Sequence, residues 1–325
     1  MTKQWIGIDV SRAELKIARS EGEQWKIETI ENATAPISRW IRSLDSLGAV
    51  QLVLEATGTY SSKLVHALHR FDVPFSVITP RQASQFSGVL NNITKNDERD
   101  ACCLSLYGRH MQPPLYQMPS PQQERLKQLY TLLGQLKKQR QAINNQLHAL
   151  SQHANPAQTA LDVMQQTASF LSQQIETIEQ EICRYTGPEL QILVEKATSV
   201  KGIGPKTAMA LLVATDGLKH FTDVKQLVKF VGLAPKQHRS GTLATKAHIN
   251  RAADPELRAL LYMATWSACK SNKACIELRK RLKNKGKASK VILIALAHKL
   301  LRQVWGVLKN DRPFDNDFEK NLAAA

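Results

Sequence analysis

Four acidic residues in the first third of the chain are spaced so that the fold could bring them together, and one of them, Asp9, stands where a carboxylate is costly unless something compensates it. Asp9 ends the apolar run Trp5-Ile6-Gly7-Ile8-Asp9-Val10, and Glu55 ends a second one, Leu52-Val53-Leu54-Glu55. A charge in such a strand needs a partner. Asp97 and Asp100 lie in Lys95-Asn96-Asp97-Glu98-Arg99-Asp100. Their i,i+3 spacing puts both on one face of a predicted helix. If a sheet sets the two strands side by side and that helix crosses them, all four carboxylates converge. Like charges at such range repel by an energy on the order of several kcal/mol unless cations neutralise them. Hard divalent cations with oxygen ligands do this, Mg²⁺ above all. Two of them about 4 Å apart would activate a nucleophilic oxygen and stabilise the leaving oxygen of a phosphodiester. Taken singly, Asp97 also suits a helix N-cap or a first-turn dipole partner, and Glu55 a plain strand end. Asp9 is harder to explain that way.

Two later stretches carry further chemistry. Ser199-Val200-Lys201-Gly202-Ile203-Gly204-Pro205-Lys206-Thr207-Ala208 leads into an apolar helix. A Gly-hydrophobic-Gly turn between helices exposes backbone N–H groups at a helix N-terminus, a ready phosphate site, and Lys201 and Lys206 flank it. The stretch reads as a helix–hairpin–helix that grips DNA backbone regardless of base sequence; a plain interhelical turn is the other reading. Gly232-Leu233-Ala234-Pro235-Lys236-Gln237-His238-Arg239-Ser240-Gly241-Thr242 reads as an irregular connection. Gly241 would let a backbone or phosphate approach Ser240 closely. His238 and Arg239 are placed to help with proton transfer or phosphate charge. By chemistry alone, Ser240 reads as a hydrogen-bonding turn residue.

The elements that must position these groups fall into three regions. Residues 1–112 alternate strand and helix signals. Strands are predicted at 4–10, 15–19 and 24–30 as a meander, then a helix at 37–44 and a strand at 51–54. A helix at 60–71, a strand at 75–78 and further helices to about residue 110 follow. That is the order of an α/β ribonuclease-H-like fold. Residues 113–195 place Leu126, Leu129, Leu133, Leu136, Ile143, Leu147 and Leu150 on three- and four-residue steps. After a break at 151–156 the spacing resumes at Leu161, Met164, Ala168, Leu171, Ile175, Ile178, Ile182 and Tyr185. This predicts a helical hairpin or coiled coil, either an intramolecular pair or an arm for dimerisation or nucleic-acid spacing. Residues 196–325 are predicted mainly helical, with a loose tail after Pro313.

Charge separates the regions more sharply than any motif. The net charge of +16 is distributed as +1 over residues 1–110, −1 over 111–195 and +16 over 196–325. A neutral front and a basic rear suggest that the last third holds a polyanion. Arg279, Lys280, Arg281, Lys283, Lys285, Lys287 and Lys290 crowd twelve positions there, as a solvated face or as phosphate contacts. The basic residues do not form one amphipathic helix with an aromatic face, which favours nucleic acid over a membrane surface. No run of 18 or more uncharged apolar residues occurs, and no signal-peptide pattern opens the chain, so neither a membrane span nor export is expected. Five cysteines without a C-x-x-C pairing argue against a disulfide framework or zinc site and fit a reducing cytoplasm. Cys102 and Cys103 read as buried small hydrophobes.

The order Gly-Ile-Asp9-Val, Glu55-Ala-Thr-Gly, Lys-Asn-Asp97-x-x-Asp100, Gly-Ile-Gly, and Gly-Leu-x-Pro-x(4)-Ser240-Gly resembles the DEDD transposases of the IS110 insertion-sequence family. Piv-type DNA invertases are relatives. The likeness spans nearly the whole chain. It implies a RuvC-like N-terminal domain, a coiled coil and a C-terminal transposase domain. It also implies that Asp9, Glu55, Asp97 and Asp100 bind Mg²⁺, two ions per site. Ser240 would attack the DNA phosphate and leave a 5′-phosphoserine link, in a composite site where the serine of one protomer meets the carboxylates of another. The expected partners are target and donor DNA, a structured bridge RNA encoded by the element, and further copies of the chain in a dimer or tetramer. Lys201, Gly202, Gly204, Lys206, Arg239 and the 279–287 cations would touch nucleic acid. The expected location is the bacterial cytoplasm, at the nucleoid when active. The competing readings are a RuvC-like nuclease or junction resolvase using water, a Piv-like invertase without a guide, and a non-catalytic architectural DNA binder.

Overall fold

The computed structural model describes residues 3–22, 24–56, 58–90, 96–236, 239–240, 243–244, 248–249 and 254–317; the side chains of 45–46, 236, 239–240, 243–244 and 248–249 fall outside the description. Contacts divide the chain into two units, Met1–Met118 and Pro119–Ala325.

The first unit opens with a meander: β1 (Gln4–Val10), β2 (Glu14–Glu21) and β3 (Gln24–Glu31). Helix α1 (Thr34–Ser43) leads to β4 (Val50–Glu55). Helix α2 (Ser62–Arg70), β5 (Phe75–Ile78), α3 (Pro80–Val89) and α4 (Asp97–Met111) follow. The sheet order is β3-β2-β1-β4-β5. β1, β2 and β3 pair antiparallel, whereas β4 and β5 run parallel to β1. That order and those directions are the ribonuclease-H-like arrangement expected from the residues.

One sheet face buries Ile6, Ile8, Val10, Leu15 and Ile17 against Ile37, Ile41, Leu64 and Leu68 of α1 and α2. The other face carries α4. Residues 113–118 still belong to this unit. The Pro113 carbonyl accepts from Gln51 Nε2 and Ser76 Oγ, and the Tyr116 N–H donates to the Phe75 carbonyl.

The second unit begins with α5 (Pro121–Ser151) and α6 (Gln158–Tyr185), which run antiparallel as a hairpin. Gln122 Nε2 reaches the Tyr185 carbonyl at the base, and Lys137 meets Glu179 further out. Leu126, Leu133, Ile175 and Ile182 bury the seam. Next come α7 (Pro188–Thr198), α8 (Pro205–Thr215) and α9 (Val224–Val231). Four two-residue strands interrupt the helices: β6 (Pro235–Lys236), β7 (Arg239–Ser240), β8 (Leu243–Ala244) and β9 (His248–Ile249). Helices α10 (Pro255–Ser271), α11 (Lys273–Asn284) and α12 (Ser289–Asn310) complete the unit.

One helix needs explanation beside the sequence reading, and one segment departs from it. α12 is long and apolar enough to cross a membrane by length and composition, although it lacks an uncharged run of 18. Its Ile292, Leu293, Leu296, Ala297, Leu300, Leu301, Val304 and Val307 are buried in the unit's own core, which accounts for that hydropathy. The segment after α12 is not loose through residue 317. Phe314 packs against the core and its N–H donates to Ser199 Oγ. Asn316 Oδ1 accepts the Lys273 N–H, while Lys273 pairs with Asp317 and Lys196 with Asp311. A single aromatic anchor with polar partners on both sides holds a strap that composition alone reads as tail.

Candidate carboxylate site and nucleic-acid interface

The last paired positions of the parallel strands are Ile8 and Leu54, so Asp9, next to last in β1, and Glu55, last in β4, follow them on neighbouring strands. Helix α4 starts with Asn96 as N-cap, its side chain accepting the Glu98 N–H, which leaves Asp97 and Asp100 in the first turn. The expectation that Asp97 suits an N-cap is thereby narrowed: Asn96 fills that role.

What sets α4 over the strand ends is a close approach at three points. A Cβ on Gly7 would stand 2.0 Å from the Ala101 carbonyl oxygen and 2.4 Å from the Ser105 nitrogen. Ser105 Oγ donates to the Trp5 carbonyl at 2.8 Å. A Cβ on Gly108 would stand 2.4 Å from the Trp5 ring and 2.8 Å from Val53 Cγ2. Gly7 lies under the second turn of α4, so the first turn projects toward Asp9, two residues further along the same face.

The electrostatics agree with convergence. The Asp9 carboxyl is pushed up from 3.8 to about 6, by burial first and then by Asp97, Asp100 and Glu55, against one backbone hydrogen bond at Val10. Lys16, opposite Asp9 on β2, gives its ammonium to Thr29 Oγ1 and Glu14. Among the described residues no three His, Cys, Asp or Glu side chains are near enough to hold one ion together. Asp9 thus feels the charge of the other three acids, while no closed ligand cage forms among the described residues. An all-carboxylate donor set whose Asp9 member is pushed up to about 6, by burial first and then by its acidic neighbours, suits a hard divalent cation.

Sequence reasoning missed two supports of this site. Gly7 carries a faint signal, since glycine inside an apolar strand marks a close backbone approach. Asn32 carries none. Its Nδ2 donates to the Ser11 and Tyr60 carbonyls at 2.8 and 3.0 Å, tying together the segments that follow β1 and β4. Its Oδ1 is buried and has no hydrogen-bond partner among the described residues. Cys102 and Cys103 are half-buried, not fully enclosed, and burial raises the Cys102 thiol to about 11.

In the second unit the Gly-Ile-Gly turn joins α7 to α8. Gly202 has φ +108°, and a Cβ there would lie 2.6 Å from Ala268 Cβ. Both conditions require glycine. Gly204 is the N-cap of α8 with no side-chain cap, Pro205 opens the helix, and Ile203 is buried. Lys201 and Lys206 are exposed, with Lys206 3.6 Å from Glu179. Arg279, Lys280, Arg281, Lys283, Lys285, Lys287 and Lys290 are all exposed on and just beyond α11. Arg239 and Ser240 lie in β7, paired with Ala244 and Leu243. Their side chains, and His238, Gly241 and Thr242 altogether, lie outside the described residues, as do Thr57 and Lys95.

A mixed sheet of this order, with acids ending β1 and β4 and a D-x-x-D helix over them, defines a ribonuclease-H-like protein of the carboxylate-cluster kind, here followed by a basic helical unit. Two family profiles match: a DEDD transposase profile over residues 6–156, and the transposase IS116/IS110/IS902 family over residues 194–280. The chain belongs to the DEDD transposases of the IS110 family. It is similar to the pilin gene-inverting protein of Moraxella bovis, 29% identical over 97% of this chain and 98% of that one. It is also similar to the transposase for insertion sequence element IS1111A of Coxiella burnetii, 20% identical over 95% and 90% respectively. Thermus thermophilus RuvC, solved with a Holliday junction substrate, aligns over 35% of this chain and 100% of its own at 14% identity and a TM-score of 0.29. The fold assignment rests on strand order and direction alone.

Proposed function

We propose that the protein is a DNA recombinase of an insertion sequence that exchanges strands with the Asp9, Glu55, Asp97 and Asp100 cluster and a Ser240 nucleophile. The observation that carries this is the Asp9 carboxyl, raised to about 6 by burial and by the other three acids where β1, β4 and α4 meet. Those four residues would hold divalent cations, Mg²⁺ in two copies, which when bound supply neutralisation of the cluster and polarisation of the scissile phosphate. Asn32, Gly7 and Ser105 keep the acids in place.

Ser240 Oγ attacks the phosphorus, its proton passing to a neighbouring base. The P–O3′ bond breaks, leaving a free 3′-hydroxyl and a 5′-phosphoserine link. A 3′-hydroxyl of the exchange strand then attacks that phosphoserine and restores the serine hydroxyl, so no phosphodiester is lost. The exposed Lys201, Lys206 and 279–287 cations, with the N–H groups of the Gly202–Gly204 turn, hold the backbones of target and donor DNA. The similarity to a pilin gene-inverting protein, which runs over nearly the full length of both chains, supports inversion or transposition as the outcome.

The three regions drawn from the sequence act as catalytic domain, coiled-coil arm and DNA-gripping transposase domain, with 113–118 joining the catalytic domain and the arm confined to α5 and α6. The arm joins copies into a dimer or tetramer in the bacterial cytoplasm, at the nucleoid when active. A bridge RNA pairing with both DNAs guides the choice of site. A protein of +16 charge accepts RNA as readily as DNA.

The test incubates wild type, Ser240→Ala and Asp9→Asn with element-end DNA and Mg²⁺, then separates covalent adducts under denaturing conditions. Ser240→Ala should form no adduct and exchange no strands. Hydrolytic nicking that persists at the wild-type rate in Ser240→Ala would instead identify a junction resolvase. Unchanged activity in Asp9→Asn would remove the carboxylates from the chemistry. Sequencing RNA that purifies with the protein tests guidance: a defined transcript from flanking DNA supports it, and random cellular RNA opposes it.

A further inference from the structure

Asn272 is fully buried in the helical core of the second unit, an unusual place for an amide. It separates α10 from α11, and its side chain does three things at once. Its Oδ1 accepts the Cys275 N–H, capping α11. Its Nδ2 donates to the Lys201 carbonyl at 3.0 Å, inside the Gly-Ile-Gly turn, and to Gln303 Oε1 of α12 at 2.9 Å. One turn earlier on α10, Ala268 is the residue against which Gly202 lies flat. The turn is therefore fastened to the α10–α11 junction by one tight backbone contact and one buried hydrogen bond. α11 is the helix that bears Arg279, Lys280, Arg281 and Lys283.

We infer that Asn272 is a positioning residue that fixes the Lys201–Lys206 turn relative to the cations of α11, so that both grip one nucleic-acid backbone together. A cap alone does not require asparagine, because serine caps as well. Stability alone does not require the bond to Lys201, because the Asn272 Oδ1 bond and Gln303 would remain. What only the amide supplies is reach from the α11 N-terminus to the turn. The arrangement rests on the proposed nucleic-acid interface and specifies how its two parts are held in register.

The test measures affinity for a nonspecific duplex by fluorescence anisotropy across a KCl series. The slope of log K against log salt counts phosphates engaged, at about 0.9 per contact in duplex DNA. Asn272→Ser keeps the α11 cap and removes the bridge. It should bind with a slope lower by about two, one for each of the two lysines of the turn. Asn272→Ala removes the cap as well and should lose more thermal stability with the same slope loss. Gln303→Leu leaves the Asn272–Lys201 bond in place and should keep the wild-type slope. The paired Lys201→Ala/Lys206→Ala variant reports on the interface itself. If it lowers the slope and folded Asn272→Ser does not, the positioning role is wrong while the interface stands. If the lysine variant leaves the slope unchanged, the turn does not hold DNA and the interface reading is the part that fails.

Discussion

Asp9 is a half-buried acid among three others, and its proton links the cluster to solution conditions. Its carboxyl titrates near 6 in the folded chain against 3.8 for a free side chain, so the folded state holds the proton more tightly than the unfolded one. The stability this residue contributes is therefore present below 3.8 and lost as pH rises through about 6. In metal-free buffer, thermal melts should fall across that window. Asp9→Asn should flatten the fall, and Mg²⁺ should reverse it for wild type above pH 6 but not for the variant. A melt indifferent to both pH and Mg²⁺ would show that the acids do not share a site. Asp9 was legible because an acid inside an apolar strand has few structural excuses, and Glu55, which also suits a plain strand end, drew notice only beside it. Asn32 was not, because nothing in Glu31-Asn32-Ala33 announces which two carbonyls its amide will meet.

At the scale of elements, the decisive contact is α4 on β1. Gly7→Ala sets a Cβ against backbone atoms of Ala101 and Ser105 that cannot rotate away, so the helix must lift. Overpacking of this kind costs about 1–3 kcal/mol. We expect that loss in urea unfolding, together with at least tenfold weaker Mn²⁺ binding in a metal titration. Gly108→Ala should behave similarly but be partly rescued by Trp5→Leu, because the group it strikes is a side chain. The periodicities that announce strand, helix and hairpin were readable from apolar spacing. The seat of α4 was not, since small residues at 101, 105 and 108 do not say which strand they will face. The short strands β6 to β9 were equally invisible, because two-residue ladders leave no alternating pattern. The strap ending at Asp317 escaped for a third reason: one phenylalanine, Phe314, decides whether a polar tail docks.

Across the whole molecule, the positive charge falls within one of the two compact units, beyond its helical hairpin. The unit ending at Met118 has a net charge of +1 and the remainder +15. Ligands that favour one unit should then stabilise that unit alone. Calorimetry is expected to resolve two transitions, with Mg²⁺ raising one and a polyanion such as heparin raising the other. At a hundredfold excess over the dissociation constant the stabilisation is about 2.7 kcal/mol. Both ligands moving one common transition would mean that the units unfold as a single body.

The hairpin of α5 and α6 is anchored along its inner half, where Gln122 meets Tyr185, Gln123 donates to the Val213 carbonyl and Leu126 and Leu133 cluster with Val213. A 31-residue helix extends about 46 Å, and its outer end owes nothing to the geometry of its root. Such an arm has an adjustable reach. Excising one heptad from the outgoing helix and its opposite number from the returning one trims about 10 Å while the base stays as it is. Insertion sequences that differ in the spacing of their ends could thus be served by one scaffold cut to different lengths.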